Sequence, residues 1–292
     1  MSDYHVHLHE HGPYRGVGVA PGEYPDGHIE AYVETALSQG VEEVGFTEHL
    51  YRCVESEPVL GEFWQDPPVA WVGEQTRDFV LEDRTLSLDG YVDAVLGSKG
   101  AGLPVLLGLE VDFFPETIDA VLDLLAPYPW DFLIGSVHWI GAWSVDHSRA
   151  VAEFERRGVD QAYRDYFELE TALAGSGTVD VLAHVDVVKK FGHRPSQEPI
   201  DSYRAVAAAA ASSGTAVELN SNGLNVPVAE IYPAPAFLAE FFAAGVPITL
   251  GSDAHKPDEV GRGRAASIEL ARGVGYSERV RFAERKARPI DL

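Results

Sequence analysis

The stretch Pro247-Ile-Thr-Leu-Gly-Ser-Asp-Ala-His255 sets the reading of the whole chain. A short apolar run, bounded by turn residues, ends in two side chains that bind metals well, Asp253 and His255. Helical patterns flank it at 235–244 and 258–271. The same alternation recurs toward the N-terminus. Apolar runs predict further strands over 4–7, 41–47, 105–113, 131–140, 179–185 and 216–220. Helical spacing predicts helices over 28–39, 116–125, 160–173 and 201–211. In the first of these, Ile29, Tyr32, Val33, Ala36 and Leu37 share one face. Asp201 and Asp258 are placed to cap the starts of their helices. Seven strands, each followed by a helix or a long connection, specify βα units and a parallel sheet. No composition break divides the chain, so residues 1–292 read as a single domain. The segment 51–87, with Pro58, Pro67 and Pro68, reads as an insertion over one face.

Composition narrows the function. The chain has 292 residues, with 46 acidic and 22 basic side chains and a formal charge of −24. A surface of that sign repels polyanions, which argues against nucleic acid as a partner. With 46% hydrophobic and 10% aromatic residues, a full core is available. Cys53 is the one cysteine, so no internal disulfide forms, which fits a reducing compartment. Asp3 and His5 interrupt the N-terminus before a signal-peptide apolar region. Pro235, Glu240 and Pro247 break the longest apolar stretch, 234–251. These features predict a cytoplasmic protein with no membrane partner.

The eleven histidines are unevenly placed, four of them at positions 5, 7, 9 and 11. His5 and His7 end the first predicted strand, and His49 follows the second. Glu110 lies near the end of the third, His138 near the end of the fourth, and His184 ends the fifth. Asp253 and His255 follow the seventh. In a parallel αβ barrel these ends meet on one rim. A single histidine in an apolar strand is ordinarily a hydrogen-bonded core residue, but six strand ends do not share that coincidence. Imidazole and carboxylate suit zinc, manganese or iron(II). His-x-His on a strand points both rings to one face, and the two oxygens of Glu110 can bridge two ions. The number of donors exceeds what one ion needs and implies a cluster of two or three.

Asp3-x-His5-x-His7, Glu48-His49, Gly108-x-Glu110, His138, His184 and Ser252-Asp253-Ala254-His255 resemble, in order, the motifs of the polymerase-and-histidinol-phosphatase (PHP) superfamily. The resemblance implies a distorted (β/α)7 barrel, similar to a TIM barrel, with a trinuclear metal centre at the C-terminal ends of the strands. Residues 135–140, 180–192, 218–224 and 230–233 look like the histidinol-phosphatase branch. There the usual Asn-Thr-Ser-Gly-Leu-Arg is replaced by Asn220-Ser-Asn-Gly-Leu-Asn225, and the N-terminal loop is shortened.

That resemblance implies one ion on His5, His7, Glu110 and Asp253, a second on Glu110, His138 and His184, and a third on His11, His49 and His255. His11 is preferred over His9 because a His-Gly pair ends that motif in the family. A hydroxide bridging two of three divalent ions would be the nucleophile, with Asp253 or a metal-bound water protonating the leaving group. Arg194, then Arg157, are the expected clamps for a small phosphate ester. His193 is either a substrate contact or a loop residue. Three ions would add about six positive charges at the rim, so an acidic chain can still take an anionic ester.

The implied reaction is hydrolysis of L-histidinol phosphate in histidine biosynthesis. The alternatives are a phosphoesterase for another small metabolite, a nuclease or polymerase-editing domain, and a non-catalytic metal binder. The acidity weighs against the nuclease and the full donor set against the last. Gly261-Arg-Gly-Arg-Ala-Ala266 only superficially resembles a dinucleotide fingerprint, since it does not follow a strand and falls within the last helical region.

Overall fold

The computed structural model describes residues 1–10, 18–65 and 69–292. His11, Pro67 and Pro68 lie outside these residues. The chain runs β1 (Ser2–Val6), α1 (His28–Ser38), β2 (Glu43–Phe46), α2 (Glu57–Leu60), α3 (Ala70–Asp83), α4 (Leu88–Gly100), β3 (Val105–Leu107) and β4 (Glu110–Asp112). It continues through α5 (Ile118–Leu125), β5 (Ile134–Ser136), β6 (Trp139–Ile140), β7 (Trp143–Ser144), α6 (Ala152–Arg157), α7 (Val159–Ser176) and β8 (Val181–Leu182). The last part is α8 (Ile200–Ser213), β9 (Ala216–Asn220), α9 (Pro235–Ala243), β10 (Ile248–Gly251), α10 (Arg264–Val274), β11 (Glu278–Ala283) and β12 (Lys286–Asp291).

The core strands are parallel, as the alternation requires, but they form two sheets, while β6–β7 and β11–β12 are separate antiparallel pairs. One parallel sheet has the order β1-β2-β3 and the other β10-β9-β8-β5-β4. The apolar run expected as one strand over 105–113 divides at Gly108-Leu109. Its first half pairs with β2 and its second with β5. Isolated contacts link the sheets. Glu110 N–H donates to Glu48 O at 2.9 Å, and His7 N–H donates to Ala254 O at 2.7 Å. The continuous seven-stranded ladder expected of a closed barrel is therefore not present among the described residues. The strands are buried on both faces, which explains why they read as apolar runs without alternation.

Three local expectations change. The cap position of α8 is Pro199, and Asp201 lies inside its first turn. Asp258 belongs to a separate short 3-10 turn. The last long helix begins only at Arg264, because Gly261 and Gly263 adopt left-handed backbone that interrupts it.

The C-terminal hairpin β11–β12 had no counterpart in the sequence reading. Its turn, Glu284-Arg285, carries positive φ at both positions without the usual asparagine or glycine, and β12 is largely exposed. Val280 and Phe282 nonetheless form a second core with Tyr4, Leu106, Phe132, Ile134, Val181, Ala183 and Ala216, toward the N-terminal ends of the strands. The rings of Phe282 and Phe132 lie 6.0 Å apart. Phe282→Ala is expected to destabilise the fold by about 3 kcal/mol. An unchanged midpoint in chemical denaturation would show that the hairpin is not part of the core.

Candidate metal centre

Backbone geometry gathers the predicted donors at the other end of the strands. His7 follows β1, His49 follows β2, Glu110 opens β4, His138 follows β5, His184 follows β8, and Asp253 and His255 follow β10. His184 and Asp253 hold φ of 25° and 54°. Left-handed backbone at a non-glycine residue is costly, and it recurs where side-chain direction is constrained by a site.

Glu110 is the centre and is fully buried. Its Oε1 lies 3.0 Å from His184 Nε2 and 3.3 Å from His138 Nε2. Its Oε2 lies 2.8 Å from His49 Nδ1, 3.3 Å from His5 Nε2 and 3.5 Å from His7 Nε2. Ser136 also donates its hydroxyl to Oε1. Asp253 Oδ1 stands 3.6 Å from His5 Nε2 and 3.4 Å from His7 Nε2. The His7 ring stacks between His49 and His255, at 4.4 and 4.3 Å.

Four overlapping donor sets are close enough to share an ion: His7/His49/His255, His5/His7/Glu110, His5/His184/Asp253 and His49/Glu110/His138. Every expected ligand within the described residues is a member of one of them. The sets cross the boundaries of the implied ligand assignment, since His184 groups with His5 and Asp253, and His138 with His49. His9 is buried but belongs to none. Its Nε2–H donates to Glu23 O at 3.0 Å, and its backbone N–H donates to Glu48.

Outer carboxylates fix the rings. His5 Nδ1 meets Glu218 at 2.9 Å, which leaves Nε2 facing Glu110 and Asp253. His138 Nδ1 meets Asp112 at 2.9 Å, which leaves Nε2 facing Glu110. A carboxylate behind a histidine whose other nitrogen faces a donor cluster is the arrangement that supports metal ligation, so the donor set fits divalent ions. Gly251 is required here by close approach. A methyl at that position would collide with Glu218 Oε1 and His5 Cβ. Glu48 accepts from the backbone of Leu8 and His9 and from buried Arg52, fixing the chain after β1. Asp3 accepts from Ser252 and Gly261 and ties β1 to the segment carrying Asp253. None of Glu218, Asp112, Glu48 and Asp3 had a role in the sequence reading, although each lies within or next to a quoted motif.

The electrostatics follow from burial against proximity. Burial would raise the Glu110 carboxyl, but His49, His5 and His138 hold it well below the usual range. Asp253 behaves likewise, with burial opposed by His5, His7 and His255. Burial, followed by the His49 ring, presses His7 down to about 4. Burial, then His7, does the same to His255, also to about 4. Both rings are therefore neutral at neutral pH, the form that binds metal.

The centre opens into a cavity of about 280 Å³. Tyr51, Phe79, Trp139, Phe191 and Tyr232 supply aromatic wall, and Asp146, Lys190, Glu259 and Arg262 supply charge. The expected clamps do not reach this cavity. Arg157 and Arg194 line a separate depression at the start of α7, with Arg157 2.8 Å from Asp165 and Arg194 2.7 Å from Glu230. His193 stacks on Phe154 at 4.2 Å and also lies off the cavity wall. The placement has a physical cause: Glu230, which pairs with Arg194, is 36 positions away and invisible from the Phe-Gly-His-Arg segment, and Arg157 is taken by Asp165 two helical turns on.

Comparison with known proteins agrees with this geometry. A PHP domain model matches residues 23–222. A probable histidinol-phosphatase of Deinococcus radiodurans is 37% identical over 258 residues, covering 88% of this chain and 91% of the relative. The histidinol-phosphatase of Bacillus subtilis is 25% identical, covering 82% of this chain and 92% of its own. The crystal structure of histidinol phosphate phosphatase from Lactococcus lactis, complexed with zinc, L-histidinol and phosphate, superimposes with a TM-score of 0.71 at 21% identity and covers 98% of both chains. The chain belongs to the PHP-domain family, on its histidinol-phosphatase branch.

Proposed function

We propose that this protein is a metal-dependent phosphatase that hydrolyses L-histidinol phosphate to L-histidinol and phosphate, a step of histidine biosynthesis. The observation that carries this is the division of five imidazoles between the two oxygens of Glu110, three of them, His49, His138 and His184, lining a cavity of about 280 Å³. The substrate comes from the relatives: the Lactococcus lactis protein holds L-histidinol, phosphate and zinc together.

The ions would be held by His5, His7, His49, Glu110, His138, His184, Asp253 and His255, with His11 completing a set of three. Zinc, manganese and iron all suit these donors. When bound, divalent ions supply Lewis acidity toward phosphoryl oxygens and make a water acidic enough to act near neutral pH. Glu218 and Asp112 set which nitrogen of His5 and His138 faces inward. In the reaction, a water oxygen bonds to phosphorus, the ester P–O bond breaks in line, and the leaving alkoxide takes a proton. Asp253, which borders the cavity, or a metal-bound water would pass that proton. Trp139, Phe79 and Phe191 offer faces to an imidazole, and Asp146 and Glu259 offer carboxylates to an ammonium. The segment 51–87, as an insertion in a single domain, contributes Tyr51 and Phe79 to this wall. The acidic exterior supports a small substrate over nucleic acid. No helix among the described residues is long and apolar enough to cross a membrane.

Asn222 and Asn225 line the cavity where the branch usually has serine and arginine. They favour, as the second reading, a different small phosphate ester. The metal-loaded protein is expected to hydrolyse L-histidinol phosphate with kcat/KM at least about a hundredfold above p-nitrophenyl phosphate, roughly 3 kcal/mol of specific transition-state binding. Equal values would select the second reading. Glu110→Gln keeps the shape and removes the charge. It is expected to lower kcat by about a thousandfold or more, with unchanged circular dichroism.

Glu218→Gln tests the outer support of His5. It is expected to weaken metal binding about 10- to 100-fold in competition with a chelator. Wild-type affinity would mean that His5 needs no partner behind it.

A further inference from the structure

The Gly261-Arg-Gly-Arg segment, set aside as a dinucleotide lookalike, forms a rigid turn beside the metal centre. Gly261 and Gly263 hold φ of 73° and 72°. Gly261 N–H donates to Asp3 Oδ2 at 2.8 Å, and the Ser221 hydroxyl donates to Arg262 O. A Cβ on Gly263 would lie 2.7 Å from the Ser221 Cβ. The turn is therefore clamped from β1 and from the segment that follows β9, and its central residue is presented to the cavity.

The Arg262 guanidinium is held by two groups. Nη1 donates to Glu259 Oε1 at 3.0 Å and Nη2 donates to Asn222 Oδ1 at 2.9 Å. Asn222 in turn donates to Asp253 Oδ2 at 3.3 Å, so the guanidinium is two hydrogen bonds from the donor cluster. Its Nε is buried and has no acceptor among the described residues. A buried charged donor without an acceptor is costly, and a ligand that brings an acceptor removes that cost.

We propose that Arg262 is the side chain that grips the substrate's phosphoryl oxygens, the role assigned from sequence to Arg194 and Arg157. The proposal rests on the phosphatase reading and deepens it. Lys190, the other cation on the wall, is paired with Asp146 at 3.1 Å, and its ammonium is a point charge without a fork. On the cavity wall, Arg262 alone combines a planar fork, an unspent Nε donor and a link to Asp253 through Asn222.

The test is calorimetric titration of inorganic phosphate into the metal-loaded protein, with metal content measured on each variant. This readout does not need turnover, so a protein inactive on L-histidinol phosphate would overturn the substrate reading while leaving Arg262 testable. Arg262→Gln is expected to weaken phosphate binding about 10- to 100-fold and to raise KM more than it lowers kcat. Arg262→Lys keeps the charge without the fork and should fall between. Arg264→Gln, which removes a contact to Gln39 O outside the cavity, should leave phosphate affinity unchanged. Wild-type phosphate affinity in Arg262→Gln would overturn the proposal. So would loss of metal in both Arg262 variants in proportion to the loss of phosphate, because Arg262 would then act only by holding Asn222 and Asp253.

Discussion

The buried carboxylate of Glu110 among five imidazoles is the interaction on which the rest of the molecule turns. Each ring has an inward nitrogen within 2.8–3.5 Å of one of its two oxygens. Where a ring is neutral, its inward lone pair faces a carboxylate oxygen, which repels it. The rings respond unequally: Glu110, Glu218 and Asp253 favour charge on His5 against its burial, while burial drives His7 toward neutrality. Such a cluster is electrostatically frustrated by itself and satisfied by cations placed among the lone pairs.

Holding that cluster together governs features some distance from it. The outer carboxylates Glu218, Asp112 and Glu48 each occupy the far side of a ring or loop, so the rings cannot turn away. Gly251 of β10 lets Glu218 of β9 and His5 of β1 meet over it, and Asp3 fastens the turn after β10 to β1. The strained backbone at His184 and Asp253 is stabilised by the same packing, since His184 N–H is also held by Glu218 at 2.9 Å. Stability and ligand geometry are thus supplied by the same contacts.

The sequence made the inner donors legible because strand periodicity is local. His5 and His7, Glu110, and Asp253 with His255 stand at the ends of apolar runs, and parallel pairing sends all such ends to one rim. The division of 105–113 into two strands was not legible, because the break depends on which neighbour each half pairs with. The hairpin carrying Phe282 was hidden by a charged second strand and an atypical turn. The arginines were misread for a related reason. The charge on Arg194 is closed by Glu230, 36 positions away, whereas Arg262 lay in a segment read as helix until the left-handed glycines revealed a turn.

The cavity's own charges sharpen the meaning of the net charge of −24. Lys190 is paired with Asp146 and Arg262 with Glu259, so neither cation on the wall presents an unopposed charge. The protein by itself therefore offers a phosphate ester oriented donors but little attractive field. On the proposed reading, the field comes from the ions and the direction comes from the side chains. That division of labour explains how an acidic protein would take an anionic substrate: the same pockets that repel a polyanion at the surface would bind one phosphate at the single place where metal charge exceeds the carboxylates holding it.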